Sequence, residues 1–218
     1  MSKENLIDSL FFRWQQTVQA FGVDRITAKP AFDDLVLAYS SCDRYYHTLQ
    51  HIYSVLNTID ILKIYLQDLP SVQLAAWFHD VVHNTQAQDN EEKSAEYAAE
   101  MLPKLAIPAN QMTKVKNLIL CTKKHQADNI DGQVLLDADL AILGAAPIDY
   151  QVYAKAIRQE YAWVEESEYI TGRRKVLEQF LQRQSIYSTP LMLESFEELA
   201  RLNLQAELKT LFSSANME

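Results

Sequence analysis

A chain of 218 residues, 48% apolar and 22% charged, with only four glycines and six prolines, has the composition of a globular protein that buries its core without disulfide or metal staples. Its formal net charge of -9 argues against non-specific binding to a nucleic-acid polymer, which needs a basic face, yet leaves room for a small phosphorylated substrate held by a few local cations. Cys42 and Cys121 are too few for a disulfide framework, residues 1–5 lack the basic-then-apolar pattern of a signal peptide, and no apolar run reaches the roughly 18 residues that span a membrane; a cytoplasmic protein with no membrane partner is expected.

Helical periodicity runs through the chain. Leu6, Ile7, Leu10, Phe11, Trp14, Val18 and Phe21 share one helical spacing, and Gly22 follows as a stop signal. Pro30 is placed to open a second helix carrying Phe32, Leu35, Val36 and Tyr39. A third is expected over about 47–66, with Ile52, Val55, Leu56, Ile59 and Leu62 on its apolar face and Pro70 after its end. Ser71 is positioned to cap a fourth, which carries Val72, Ala75, Ala76, Phe78 and Val82. Asn90-Glu91-Glu92 reads as a helix start, with acidic residues where the helix dipole favours them, and Leu102-Pro103 as its end. Pro108 precedes a helix with Met112, Val115, Leu118 and Ile119.

A short helix is expected from Gln133 or Asp137 to Gly144. Pro147 opens a long one with Tyr150, Tyr153, Ile157, Tyr161 and Trp163, and the last helices cover about 170–182 and 191–212. No stretch alternates as a strand. The expectation is an all-α protein, one helical domain over 1–218, with the helices of about 147–212 packed on the rest. The composition shifts near Pro147, after which there are no histidines.

All five histidines, His47, His51, His79, His83 and His125, lie between residues 47 and 125, and four form two His-x-x-x-His pairs. On a helix, residues four apart share a face, with Cβ atoms about 6 Å apart. Asp80 follows His79, so positions 79, 80 and 83 would form one helical stripe. That stripe offers two imidazoles and a carboxylate, a set suited to borderline divalent metals. Trp77, Phe78, Val81 and Val82 would supply a dry wall that strengthens an ion's field. One such pair is more often a packing arrangement than a ligand set; two pairs with an adjacent Asp point to a metal.

The segment Ala75-Ala76-Trp77-Phe78-His79-Asp80 resembles the HD superfamily of metal-dependent phosphohydrolases. These are helical proteins named for an adjacent His-Asp pair, with metal ligands in the order His, His-Asp, Asp. Tyr46-His47-Thr48-Leu49-Gln50-His51-Ile52 is similar to the segment supplying the first ligand, and Leu135-Leu136-Asp137-Ala138-Asp139-Leu140 to the one supplying the last. The likeness covers about 44–140, and the whole chain also looks like bacterial proteins known as predicted HD phosphohydrolases. The resemblance implies an HD-type helical bundle with additional C-terminal helices and a metal held by His51, His79, Asp80 and Asp139.

The cyclic-nucleotide phosphodiesterases of that superfamily carry Tyr-His-Asn-x-x-His, similar to residues 46–51 here. By that likeness His47 is the proton donor, His51 a ligand, and His83 belongs to the second-metal side. Thr48 stands in place of the Asn and Asn84 in place of a Pro-Gly stretch, which weighs against a cyclic nucleotide. Asp137 and Asp139 point roughly 200° apart on a helix, so one of them faces the metal. The resemblance selects Asp139 and leaves Asp137 as a helix N-cap or an outer partner.

The expected activity is therefore hydrolysis of a phosphate mono- or diester of a small substrate, nucleotide-like ones included, with one or two divalent ions (Mn, Fe, Mg, Zn, Ni or Co). Asp80 would bridge a second ion or orient water, and His47 would protonate the leaving oxygen. Second-metal or substrate candidates are His83, His125, Glu92, Arg44, Lys123 and Lys124. Against those roles stand a surface helix end for His125, a solvated basic helix end for Lys123 and Lys124, and a first-turn charge for Glu92. Arg158, Glu160, Arg173 and Arg174 are expected mainly in ion pairs. The alternatives are a di-iron oxygenase, with His83 and His125 holding the second iron, and a non-catalytic nucleotide or ligand sensor.

Overall fold

The structure is a computed structural model that describes residues 2–215, with side chains through residue 212. Among the described residues every regular element is helical, as expected. The helices are α1 (Lys3–Gln19), α2 (Arg25–Ala38), α3 (Leu49–Leu62), α4 (Leu69–Phe78), α5 (Asn90–Met101), α6 (Ala109–Thr122), α7 (Ile130–Asp139), α8 (Pro147–Glu160), α9 (Glu166–Gln182) and α10 (Pro190–Ala215). Short 3₁₀ turns cover Lys63–Tyr65, Leu102–Leu105 and Leu140–Gly144. No helix among the described residues is long and apolar enough to cross a membrane. The chain forms two compact units, Met1–Ala138 and Asp139–Glu218.

The first four helices start at side-chain oxygens that accept orphan N–H groups of the first turn. Ser2 accepts from Asn5 N, Asp24 from Ile26 N and Thr27 N, and Thr48 from Gln50 N. Three sequence expectations are corrected by the observed helix starts. Asp24 starts α2, so Pro30 lies inside the helix instead of opening it. Asp68 caps α4 and Pro70 sits in its first turn, where a missing N–H costs no intrahelical bond; Ser71 is a first-turn residue, not the cap. Helix α7 begins at Ile130, which puts Asp137 inside it, 1% exposed, and not at its N-cap. The Gly22 stop signal holds: its φ of +79° turns the chain after α1.

In the first unit α4 packs against α1, α3, α5 and α6. Its sequence is apolar all round, and Val72 and every residue from Leu74 to Phe78 is fully buried. Trp14 meets Trp77 edge-on at 5.5 Å between ring centroids and Phe78 at 6.1 Å, and Phe32 meets Trp77 at 6.2 Å. The polar handles of these aromatics are satisfied. Trp14 Nε1 donates to Ala28 O at 2.9 Å, Trp77 Nε1 to Thr17 Oγ1 at 3.3 Å, and the Tyr39 hydroxyl to Trp77 O at 3.0 Å. The C-terminal end of α4 is thereby held at a set depth.

Its other end depends on Asp68, whose carboxylate accepts Ser71 N at 3.2 Å, Ser71 Oγ at 3.0 Å and Lys114 Nζ at 2.6 Å. Partial burial works to raise the Asp68 pKa, but the bonds from Lys114 and Ser71 outweigh it and hold the carboxyl below its ordinary value. A depressed folded pKa means a contribution that is present above the unfolded value of about 3.9 and lost as pH falls through the folded one. Asp68→Ala is expected to cost about 1 kcal/mol at neutral pH. In urea denaturation at a series of pH values, the gap from wild type should close as the pH falls below about 4.

In the second unit α10 packs on α9 and on the Leu140–Gly144 turn, which α8 also touches. Tyr187 donates its hydroxyl to Leu140 O at 3.1 Å, and Asn203 Nδ2 donates to Leu143 O at 2.8 Å and Ala145 O at 2.9 Å. A Cβ at Gly144 would stand 2.9 Å from both Phe196 O and the Tyr187 hydroxyl, so only glycine fits there.

Candidate metal centre

The two His-x-x-x-His pairs converge, though not by the helical route expected. His47 precedes α3, and α4 ends at Phe78, so residues 79–83 form a turn and no helical stripe. Val82 likewise lies beyond α4, in that turn. The histidines are brought together by where the helix ends lie. Thr48 caps α3 and sets His51 in its first turn. Thr48 stands where the resembling motif has Asn, and both side chains serve as good N-caps. His79 follows the last residue of α4. Tyr46 packs on both neighbouring imidazoles, 5.0 Å from the His47 ring and 4.9 Å from the His51 ring. No signal beyond adjacency in sequence marks it for that role.

His51 is 4% exposed and His79 1% exposed. His79 Nδ1 lies 3.0 Å from Ala76 O. A carbonyl only accepts, so Nδ1 carries the proton and the neutral ring offers its Nε2 lone pair. That Nε2 lies 3.2 Å from His51 Nε2 and 3.1 Å from Asp80 Oδ2, and His51 Nε2 lies 3.6 Å from the same carboxylate oxygen. Ligand atoms about 2.0–2.2 Å from a shared cation stand roughly 2.8–3.6 Å apart, the tetrahedral separations at the upper end. The three separations match that polyhedron, and the donor set, two buried imidazole nitrogens and a carboxylate, fits a borderline divalent cation.

Asp139, the last residue of α7, completes the group. His51, His79, Asp80 and Asp139 each offer a ligand atom, all within 4.8 Å of one another. Of the two candidate aspartates, Asp137 and Asp139, the latter is thus the one in the cluster. Asp137, two residues back, is buried inside α7.

His47 and His83 flank this group. Their rings lie 4.2 Å apart at 30°, and His47 Nε2 is 3.9 Å from Asp80 Oδ2. Both are half-buried. Arg44, 8% exposed, directs its guanidinium to backbone: Nη1 donates to His47 O at 3.0 Å and Asp80 O at 2.7 Å, and Nη2 donates to Val81 O at 2.8 Å. Lys123 Nζ donates to Gln88 O at 2.9 Å and pairs with Glu92. That bond holds the Glu92 carboxyl below its ordinary pKa and raises that of the Lys123 ammonium. Lys124 is exposed, and His125 lies past the end of α6 with φ of +48°.

On the later helices, Arg158 pairs with Glu166 at 2.8 Å, Arg173 with Glu207 at 2.8 Å and Arg174 with Glu178 at 3.9 Å. Glu160 on α8 is 5% exposed. Compared with models of protein families, with curated proteins and with solved structures, the chain matches none.

Proposed function

We propose that His51, His79, Asp80 and Asp139 hold a divalent cation and that the protein is a metal-dependent phosphohydrolase of the HD type, cleaving a phosphate mono- or diester of a small, nucleotide-like substrate. The reading is supported above all by the 3.1–3.6 Å spacing of His51 Nε2, His79 Nε2 and Asp80 Oδ2. A bound divalent cation supplies Lewis-acid chemistry: it draws charge from a phosphoryl oxygen and makes water more acidic.

The chain's own groups supply the rest. The buried imidazole of His79 holds its Nε2 lone pair in place before any ligand arrives, because the bond to Ala76 O fixes its ring, while His51 is buried in the first turn of α3 with its ring against Tyr46. Asp80 neutralises positive charge and is exposed enough, at 21%, to orient a water at the rim. His47, 20% exposed beside Asp80, is placed to give a proton to a leaving oxygen, since an imidazole titrates near neutrality.

The test is a panel of p-nitrophenyl mono- and diesters and nucleotides with Mn, Co, Mg, Zn or Ni added to the chelator-treated protein. Hydrolysis should require metal, and His47→Ala should lower kcat by about 10²–10⁴-fold. Metal-independent turnover, or none with any member of the panel, would remove this reading. The paired His47 and His83 rings favour a second reading, a di-iron oxygenase. It requires iron and substrate-linked oxygen consumption in the same protein.

A further inference from the structure

We propose that Arg44 is the positioning residue of the metal centre, joining two of the three chain segments that carry its ligands; this rests on the metal reading above. These two segments are far apart in sequence. One enters α3 through His47 and Thr48 to His51, and the other leaves α4 through His79, Asp80 and Val81. Arg44 reaches across both: its Nη1 donates at once to His47 O and Asp80 O, and its Nη2 to Val81 O.

Four features make the clip specific. The guanidinium is a planar fork, so one rigid group serves three carbonyls in a set geometry; an ammonium is a single point donor. Its positive charge lies past the C-terminal end of α4, where the helix dipole favours a cation. It stacks on Tyr39, with Cζ 4.9 Å from the ring centroid, and the Tyr39 hydroxyl is itself tied to Trp77 O. Finally, the residue is 8% exposed, so its bonds are little exchanged with water. Displacement of the Asp80 carbonyl moves the Asp80 carboxylate. Displacement of the His47 carbonyl moves the first turn of α3 and with it His51. The His51–Asp80 separation of 3.6 Å therefore depends on Arg44, though Arg44 touches no ligand atom.

A simple structural clip would stabilise the fold without tuning the metal, and the experiment separates the two roles. Cobalt(II) is titrated into full-length wild type, R44K, R44A and R201K, following visible absorption, with folding checked by far-UV circular dichroism. Arg201 is a matched control. It also donates to three backbone carbonyls, those of Leu181, Arg183 and Gln184, but on no ligand segment.

Arg44→Lys should weaken cobalt affinity by about 10- to 100-fold and change the ligand-field spectrum, while R201K keeps both within about twofold of wild type. Wild-type affinity and spectrum in R44K would overturn the proposal. If R44A fails to fold, R44K decides; if both fail, Arg44 is a fold determinant and the positioning role falls. If wild type itself takes up no cobalt, the metal reading has failed and the proposal with it. Cobalt bound equally by wild type and R44K leaves the metal reading standing and removes Arg44 alone.

Discussion

A divalent cation should raise the melting temperature of this protein, and replacing His79 with alanine should abolish that increment. A ligand that binds only the folded state adds RT ln(1 + [L]/Kd), about 2.7 kcal/mol at a hundredfold excess over Kd. For a chain of this size that is an increase in Tm of roughly 5–10 °C. His79 is the ligand whose loss should remove most of it. Its ring is 1% exposed, its tautomer is set by the bond to Ala76 O, and its Nε2 is the atom nearest to both other donors.

His79→Ala also removes a buried hydrogen bond, so the metal-free variant starts from a lower Tm. The decisive quantity is the increment on adding cobalt(II) or manganese(II), measured by differential scanning calorimetry for each protein against its own metal-free form. Asp80→Ala should lose the increment in the same way. His125→Ala, whose imidazole is not in the ligand group, should keep it. An increment in His79→Ala equal to that of wild type would show that the ion sits elsewhere.

The second large effect concerns stability alone. Arg173 and Glu207 form a bidentate pair, with Nε and Nη2 donating at 2.8 and 3.0 Å, and their side chains are 8% and 11% exposed. Tyr150 donates its hydroxyl to the same carboxylate, and Arg173 lies over the Tyr153 ring. Burial would lower the Arg173 pKa, but the neighbouring Tyr153 and the bonds that Arg173 donates to Glu207 outweigh it and hold the pKa above its ordinary value. The same burial, with the Glu207 charge, pushes the Tyr150 hydroxyl far above its ordinary pKa, so it stays a donor.

Glu207→Ala leaves that cation buried with no carboxylate and should cost about 3–5 kcal/mol. That is a large part of the 5–15 kcal/mol that typically separates folded from unfolded protein. The double variant Arg173→Met with Glu207→Leu removes both charges and should recover most of the loss. Urea denaturation followed by circular dichroism measures both. A Glu207→Ala protein within about 1 kcal/mol of wild type would mean that water reaches the pair.

Much of this protein was legible in one dimension because its signals are local. Apolar residues at helical spacing determine that the chain is helical, and Trp14, Val55, Val72 and Val115 fall on buried faces as their spacing requires. Helix ends were less legible. Asp68, not Ser71, caps α4, and Pro30 lies inside α2, because a cap depends on which oxygen reaches the first amides and several neighbours qualify by type.

The metal-capable residue types could likewise be read from His79-Asp80 and the earlier histidines, yet the reason first given for their convergence, a shared helical face, does not apply after Phe78. What brings His51 to 3.2 Å from His79 is the burial of α4 among four other helices and the cap that begins α3. Arg44 shows the same limit. Its partners are backbone carbonyls, which every residue possesses, so no sequence pattern announces them. By itself the sequence determined the helical class and supplied the donor groups. Only the tertiary structure decided which donors meet and what holds them at bonding distance, because those depend on packing between segments distant along the chain.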